Sequence, residues 1–379
     1  MQLADVYHKY PITIRRAKDC YLWTDKDRQI LDFYSGHGVI SIGHQNPFFT
    51  EKLQEQMNAL SYYSNAVHLD QQSEALRAFQ EVSCLESDYQ VFFSNSGAEA
   101  NENALKAAAF TNNRRKIVAF RNGFHGRTSL AVQCTDNPKL LSSLNQDVPV
   151  SFVDLNNFEQ ADEAINEQVA AVIIEGIQGI GGIHCPNPEF LQWLQKKCHD
   201  TGAVLILDEV QSGFGRSGKF LAFQHAGIEP DIFTCAKGMG NGFPVGATFI
   251  KPEITLKKGD LGSTFGGNPV ACRAAQSVAE YIGDHDLMAN SWELGEFLKK
   301  ELQQIPQVKE VRGHGLMIGI DFDRNATASL RSYLLENHHI LCGSAKSPET
   351  IRLLPPLTIN KTQCGHFLEA LEDSIKQAE

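Results

Sequence analysis

The sequence predicts an α/β protein, with a large, mostly parallel central sheet covered by helices and a smaller α+β unit beside it. Three observations carry this. Short apolar runs at 89–93, 116–120, 149–153, 169–174, 203–207, 232–235 and 245–250 alternate with segments of helical spacing. The run at 169–174 is apolar at every position, as a strand buried on both faces requires. After Asn268 the texture shifts to two long helical stretches, 268–282 and 286–304.

The first ~45 residues read as an arm and a hairpin, with strands at 20–24 and 29–34 around the turn Asp25-Lys26-Asp27-Arg28. Helices at 47–60 and 70–82 open the large unit, and those at 97–110, 156–168 and 188–201 separate its strands. Beyond the long pair come strands at 309–311 and 316–321 and a closing helix at 361–377. The expected division is a large domain at 47–269 and a small domain formed by 1–46 with 270–379.

Composition narrows the function. The 379 residues carry a net charge of −11 and no basic run of five, which argues against nucleic acid or anionic membrane as a partner. The aliphatic run at 169–174 is far short of the ~20 residues that cross a bilayer. None of the nine cysteines forms a C-x-x-C pair, so we expect reduced thiols in a cytoplasmic protein, with neither a zinc ribbon nor a disulfide framework. The N-terminus lacks the basic-then-apolar order of a signal peptide, and no leader is expected.

Sheets of this kind bind ligands at the C-terminal ends of their strands. Three strand ends stand out. Asp208 follows the run 203–207; its bland alternative is a helix cap or a structural ion pair. Lys237 follows 232–235 and precedes three glycines, Gly238, Gly240 and Gly242. A buried lysine loses its proton readily and becomes an amine nucleophile, whereas a solvated loop lysine does nothing. Ser96 and Glu99 follow 89–93 with the spacing of a capping box, which opens a helix whose free N–H groups can hold a phosphate; a plain helix cap is the bland alternative.

One motif is a decoy. Gly213-Phe214-Gly215-Arg216-Ser217-Gly218 matches the dinucleotide fingerprint, but it lies several residues past its strand and only a short helical stretch follows. We expect a flexible glycine loop there. A phosphate site, a carboxylate and a lysine on one sheet edge match pyridoxal phosphate, which has a phosphate, a ring nitrogen and an aldehyde.

Six motifs in order resemble those of the class III aminotransferases. They are Ser96-Gly97-Ala98-Glu99-Ala100-Asn101-Glu102, Phe124-His125-Gly126-Arg127-Thr128, Leu207-Asp208-Glu209-Val210-Gln211-Ser212-Gly213-Phe214-Gly215-Arg216, Ala236-Lys237-Gly238, Ser263-Thr264-Phe265-Gly266-Gly267-Asn268-Pro269 and Arg352-Leu353-Leu354-Pro355-Pro356-Leu357. The resemblance runs from about Tyr10 to the C-terminus and implies the fold type I of pyridoxal-phosphate transferases. It implies that Lys237 holds the cofactor covalently and shuttles a proton, and that Asp208 keeps the ring nitrogen protonated. It further implies that Gln211 contacts the ring oxygen, Phe124 stacks on the ring, and Gly97 and Ala98 donate N–H groups to the phosphate. Thr264 is implied to reach the phosphate of a neighbouring subunit, hence a homodimer with shared active sites.

Arg127 and Arg352 resemble carboxylate clamps, Ser263 a substrate contact, and Glu175 a glutamate that pairs with Arg352 when no carboxylate is present. The implied reaction is ping-pong transfer of the terminal amine of an N-acylated ornithine, acetyl or succinyl, to 2-oxoglutarate in arginine biosynthesis. Ornithine, 4-aminobutyrate and acyl-lysine are alternative donors. A glutamate-semialdehyde aminomutase is a further alternative, against which Arg352 counts. His37 and the loop 181–186 depart from the family pattern.

Overall fold

The computed structural model describes residues 1–323 and 327–377; residues 324–326 and 378–379 of the expected small domain lie outside them. The central sheet has the order Gln90–Ser94, Gly246–Ile250, Ile232–Cys235, Val204–Asp208, Val169–Glu175, Lys116–Phe120, Val150–Val153. From Ile232–Cys235 outward to Val150–Val153 every neighbouring pair is parallel. Gly246–Ile250 runs antiparallel to both its neighbours.

The continuous apolar runs follow from burial on two faces. Val172, Ile174, Leu205, Leu207 and Phe233 point into one core, while Ala171, Ile173, Val204, Ile206 and Ile232 point into the other. The second face is covered by the helix Gly97–Asn112, whose Ala104, Leu105, Ala107 and Ala108 pack there. On the first, Phe79 stacks on Phe249, which stacks on Phe233 (ring centroids 4.4 Å apart in each pair).

A second sheet joins the two ends of the chain. Its order is Ile14–Lys18, Tyr21–Thr24, Gln29–Phe33, Ile340–Ser344, Thr350–Leu353, Met317–Phe322, Val308–His314. Ile340–Ser344 pairs in parallel with Gln29–Phe33, so the N-terminal hairpin is built into the C-terminal segment. The long helix Pro269–Asp284 packs on Pro47–Ala59 and Asp70–Ser83, and Leu287–Leu302 packs on the closing helix Lys361–Gln377.

Several elements differ from expectation. Ile14–Lys18 is an exposed edge strand without apolar alternation, so its sequence carries no strand signal. Thr327–Asn337, Ile340–Ser344 and Thr350–Leu353 were likewise not expected as elements. The helix expected at 156–168 is only Phe158–Ala164, capped by the Asn157 side chain. The loop 213–218 is mostly buried, and Arg216 pins it by donating to the carbonyls of Leu316 and Pro355.

Candidate active site

The strands Gln90–Ser94, Lys116–Phe120, Val169–Glu175, Val204–Asp208 and Ile232–Cys235 deliver their last or following residues to one edge, where a cavity of about 500 Å³ opens. Gly97, Ala98, Phe124, Arg127, Glu175, Asp208, Gln211 and Lys237 all line it. This volume lies within the ~300–1,000 Å³ of small-molecule sites.

The phosphate end starts at the cap of Gly97–Asn112. The Ser96 hydroxyl accepts from the Glu99 N–H (3.2 Å), and the Glu99 carboxylate accepts from the Asn95 N–H (2.6 Å). The N–H groups of Gly97 and Ala98, in the first turn, have no intrahelical acceptor and are available to an anion. A side chain at position 97 would collide with Val210, its Cβ lying 2.5 Å from a Val210 methyl, so glycine is required there.

Asp208 is buried under a web of donors. Its Oδ2 accepts from Asn101 Nδ2 (2.7 Å) and His125 Nδ1 (2.8 Å), and its Oδ1 accepts from the Val210 N–H (3.0 Å). Thr234 donates to Asn101 Oδ1 (2.7 Å) and so fixes that amide. His125 Nε2 is buried without a hydrogen-bond partner among the described residues.

Lys237 sits at the cavity wall with a left-handed backbone (φ 45°). Burial lowers its pKa; Asp208 and Glu175 oppose the shift and Arg352 adds to it. Its amine makes no hydrogen bond or ion pair among the described residues. An amine with lowered proton affinity, free in a cavity that also presents a buried carboxylate and open helix N–H groups, fits pyridoxal phosphate at each of its three functional ends.

Arg352 is buried behind this wall rather than on it. Its Nε donates to the Ser344 carbonyl (2.6 Å) and its Nη1 reaches Gln211 Oε1 (3.4 Å). Burial lowers its pKa. The ion pair expected between Glu175 and Arg352 is not formed. Both Glu175 oxygens are taken by backbone, Oε1 by the Phe124 N–H (2.9 Å) and Oε2 by the Gly179 N–H (2.8 Å). The Gln211 side chain meets the guanidinium in its place, in a space that exists only because residue 179 is glycine: a Cβ there would lie 1.9 Å from Gln211 Oε1. Burial raises the Glu175 carboxyl to about 7.

Ser263 and Thr264 lie outside the cavity lining. The Ser263 hydroxyl accepts from the Gly266 N–H (2.9 Å) and from Asn95 (3.3 Å), while Thr264 is exposed beside Tyr62 and Phe265. Roles for Asn101 and His125 were missed, although both fall inside motifs quoted above; what reveals them is their contact with Asp208. Tyr7 also lines the cavity, brought there by the N-terminal arm.

The family model of aminotransferase class III matches residues 3–375. The chain is 38% identical over 372 residues to an acetylornithine aminotransferase of Archaeoglobus fulgidus, covering 97% of each protein. It is 38% identical to a [LysW]-aminoadipate semialdehyde/glutamate semialdehyde transaminase of Sulfolobus acidocaldarius, covering 100% of this chain and 98% of that one. Among solved structures, an ornithine aminotransferase of Toxoplasma gondii with partial occupancy of PLP superposes with a TM-score of 0.90 at 29% identity, covering 98% of this chain and 91% of that one. The fold is that of the pyridoxal-phosphate-dependent aminotransferases, and the chain belongs to the class III aminotransferases.

Proposed function

We propose that this aminotransferase moves the terminal amino group of N-acetylornithine to 2-oxoglutarate, giving the acylated glutamate semialdehyde and glutamate, a step of arginine biosynthesis. N-Succinylornithine is the nearest alternative donor. The observation that carries the reaction is Lys237, an amine of lowered proton affinity that faces the same cavity as the triply hydrogen-bonded Asp208. The names of full-length relatives at 35–38% identity support the donor.

Bound pyridoxal phosphate supplies an electron sink that lets a C–H bond beside nitrogen break. In this reading Lys237 Nζ holds the cofactor and then carries a proton between the donor's terminal carbon and the cofactor. Asp208 holds the ring N–H, Gln211 the ring oxygen, Phe124 a ring face, and the N–H groups of Gly97 and Ala98 the phosphate. Arg127 and Arg352 take substrate carboxylates, which a guanidinium grips in two-point fashion. Arg352 becomes available when Gln211 moves aside, Glu175 shapes the same space, and Ser263, outside the cavity lining here, is kept as a substrate contact only on the family resemblance.

The cofactor-binding unit is 47–269, and 1–46 with 270–379 form the small domain. A cytoplasmic homodimer with shared sites is part of the proposal: Thr264 contributes to the partner's phosphate site. The exposed ring pair of Tyr62 and Phe265 beside Thr264 supports an interface there.

The test is a donor panel with 2-oxoglutarate, read as glutamate formed. N-Acetylornithine or N-succinylornithine is expected to exceed ornithine, 4-aminobutyrate and N-acetyllysine in kcat/KM by at least tenfold. A preference for free ornithine or 4-aminobutyrate overturns the assignment of the donor.

A further inference from the structure

We propose that Lys346 is a positioning residue for the two carboxylate-binding arginines, because it bolts the hairpin that carries Arg352 to the loop that carries Arg127. The inference rests on the carboxylate roles given to these arginines above and names what sets the spacing between them.

Lys346 lies in the connection between Ile340–Ser344 and Thr350–Leu353, outside the cavity lining. Two residues before it, the Ser344 carbonyl accepts from Arg352 Nε (2.6 Å), so this hairpin holds the guanidinium of Arg352 as well as its backbone. The Lys346 N–H donates to the Ile180 carbonyl (2.8 Å), and the side chain crosses to the central sheet. There Nζ donates to Asn122 Oδ1 (2.9 Å), to Asp136 Oδ2 (3.1 Å) and to the Asp136 carbonyl (3.1 Å). Three acceptors match the three N–H donors of one ammonium. Among the described residues no other hydrogen bond or ion pair joins the segments of the second sheet to residues 121–136.

These acceptors sit where the loop takes its course. Residues 121–127, after Lys116–Phe120, form neither helix nor strand, so separate hydrogen bonds must fix them. Asp136 holds the start: its Oδ2 accepts from the Asn122 N–H (2.7 Å), and its own N–H donates to the Gly123 carbonyl (3.0 Å). Thr135 holds the middle, where its Oγ1 accepts from the His125 N–H (2.9 Å). Asn122 is left-handed (φ 63°), a conformation that asparagine tolerates. Arg127 lines the cavity at the end of the loop. Its side chain has no hydrogen bond or ion pair among the described residues, so its place follows from its backbone.

Lys346 therefore joins two supports, one under each arginine. The consequence depends on how many carboxylates a substrate brings. Glutamate and 2-oxoglutarate bring two, and they are gripped at both ends only when the arginines stand at the right separation. An amine with one carboxylate needs one arginine and tolerates a change in spacing. The side chains are 45% exposed at Lys346 and 20% at Asp136, so the effect is a few-fold, the size of a partly exposed ion pair.

The experiment compares wild-type holoenzyme with Lys346→Ala, Lys346→Arg, Asp136→Asn and Arg352→Lys, each checked for retained cofactor absorbance and melting temperature. Single-turnover rates are measured against concentration for glutamate and for whichever of N-acetylornithine, ornithine and 4-aminobutyrate the wild type uses best. Lys346→Ala is expected to raise the half-saturating concentration of glutamate about 3- to 5-fold. That of the one-carboxylate amine should change by less than about 1.5-fold, with both limiting rates retained. Asp136→Asn should shift glutamate in the same direction, and Lys346→Arg should restore it in part. Without substrate, amide hydrogen exchange in peptides covering 121–127 should quicken in Lys346→Ala. Arg352→Lys with wild-type saturation by glutamate overturns the carboxylate role of Arg352, and the proposal with it. A shift in Arg352→Lys without one in Lys346→Ala, an equal shift for both amines, or unchanged exchange at 121–127 overturns the role of Lys346 alone.

Discussion

Asp208 and Glu175 end neighbouring parallel strands in register with each other. Both are buried, and both face the cavity. Their partners differ. Asp208 is bound by an amide, an imidazole and one backbone N–H; Glu175 is bound by two backbone N–H groups alone. Burial dominates at Glu175 and raises its carboxyl to about 7, with Asp208 adding to the rise while His125 and the backbone donors oppose it. One residue after Asp208, Glu209 behaves as Glu175 does: burial lifts it to about 7, and it anchors Ser212, Ala222 and Phe223. The strand end alone therefore does not determine how a carboxylate is held. Side chains brought from the helix Gly97–Asn112 and the loop after Lys116–Phe120 set Asp208 apart from its two acidic neighbours.

Substitutions can break this comparison, beginning with the lysine whose charge both carboxylates favour. Lys237→Ala is expected to abolish covalent attachment of the cofactor, measured by mass spectrometry after borohydride reduction, and to lower turnover by ~10²–10⁴-fold or more. Retained turnover at the wild-type rate would remove Lys237 from the chemistry.

His125→Leu leaves Asp208 with Asn101 and the Val210 N–H. Loss of a hydrogen bond to a charged group is worth about 1.5–3 kcal/mol, so kcat should fall by roughly 10- to 100-fold with the fold retained. Steady-state kinetics beside a melting curve separates this from unfolding.

Glu175→Gln probes stability and pH. Because the folded state holds the Glu175 proton above its ordinary carboxylic value of 4.5, the native form binds that proton more tightly than the unfolded chain. Stability therefore falls as pH rises from about 4.5 to about 7, and is level in this respect above that. Glu209 adds a slope of the same sign. Replacing Glu175 by Gln should roughly halve the combined slope in urea melts over this window; an unchanged slope would mean that the group titrates normally.

Much of the site was legible because strand ends are legible. Lys237, Asp208 and the Gly97–Ala98 turn each follow an apolar run, and the sheet brings those ends to one edge. The helix cap was also readable from Ser96 and Glu99, although Glu99 holds the N–H of Asn95 rather than that of Ser96. What could not be read depends on contacts between distant segments. Asn101 and His125 reach Asp208 across 107 and 83 residues of sequence, and neither carries a local signal for that meeting. The partner of Arg352 is illegible in the sequence for a related reason: the space for Gln211 depends on Gly179 and on the turn at His37, whose carbonyl Gln211 also holds. The edge strand Ile14–Lys18 has no apolar alternation because little of it is buried.

Under the proposed function Asp208, and not its neighbour in register, carries the chemistry. Single-turnover half-reactions of Asp208→Asn and Glu175→Gln, with glutamate and with N-acetylornithine, test it most directly. Asp208→Asn is expected to slow both half-reactions alike by on the order of 10²–10³-fold, whereas Glu175→Gln is expected to change each by less than about tenfold. Near-normal rates in Asp208→Asn, or an equal loss in the two variants, would contradict it.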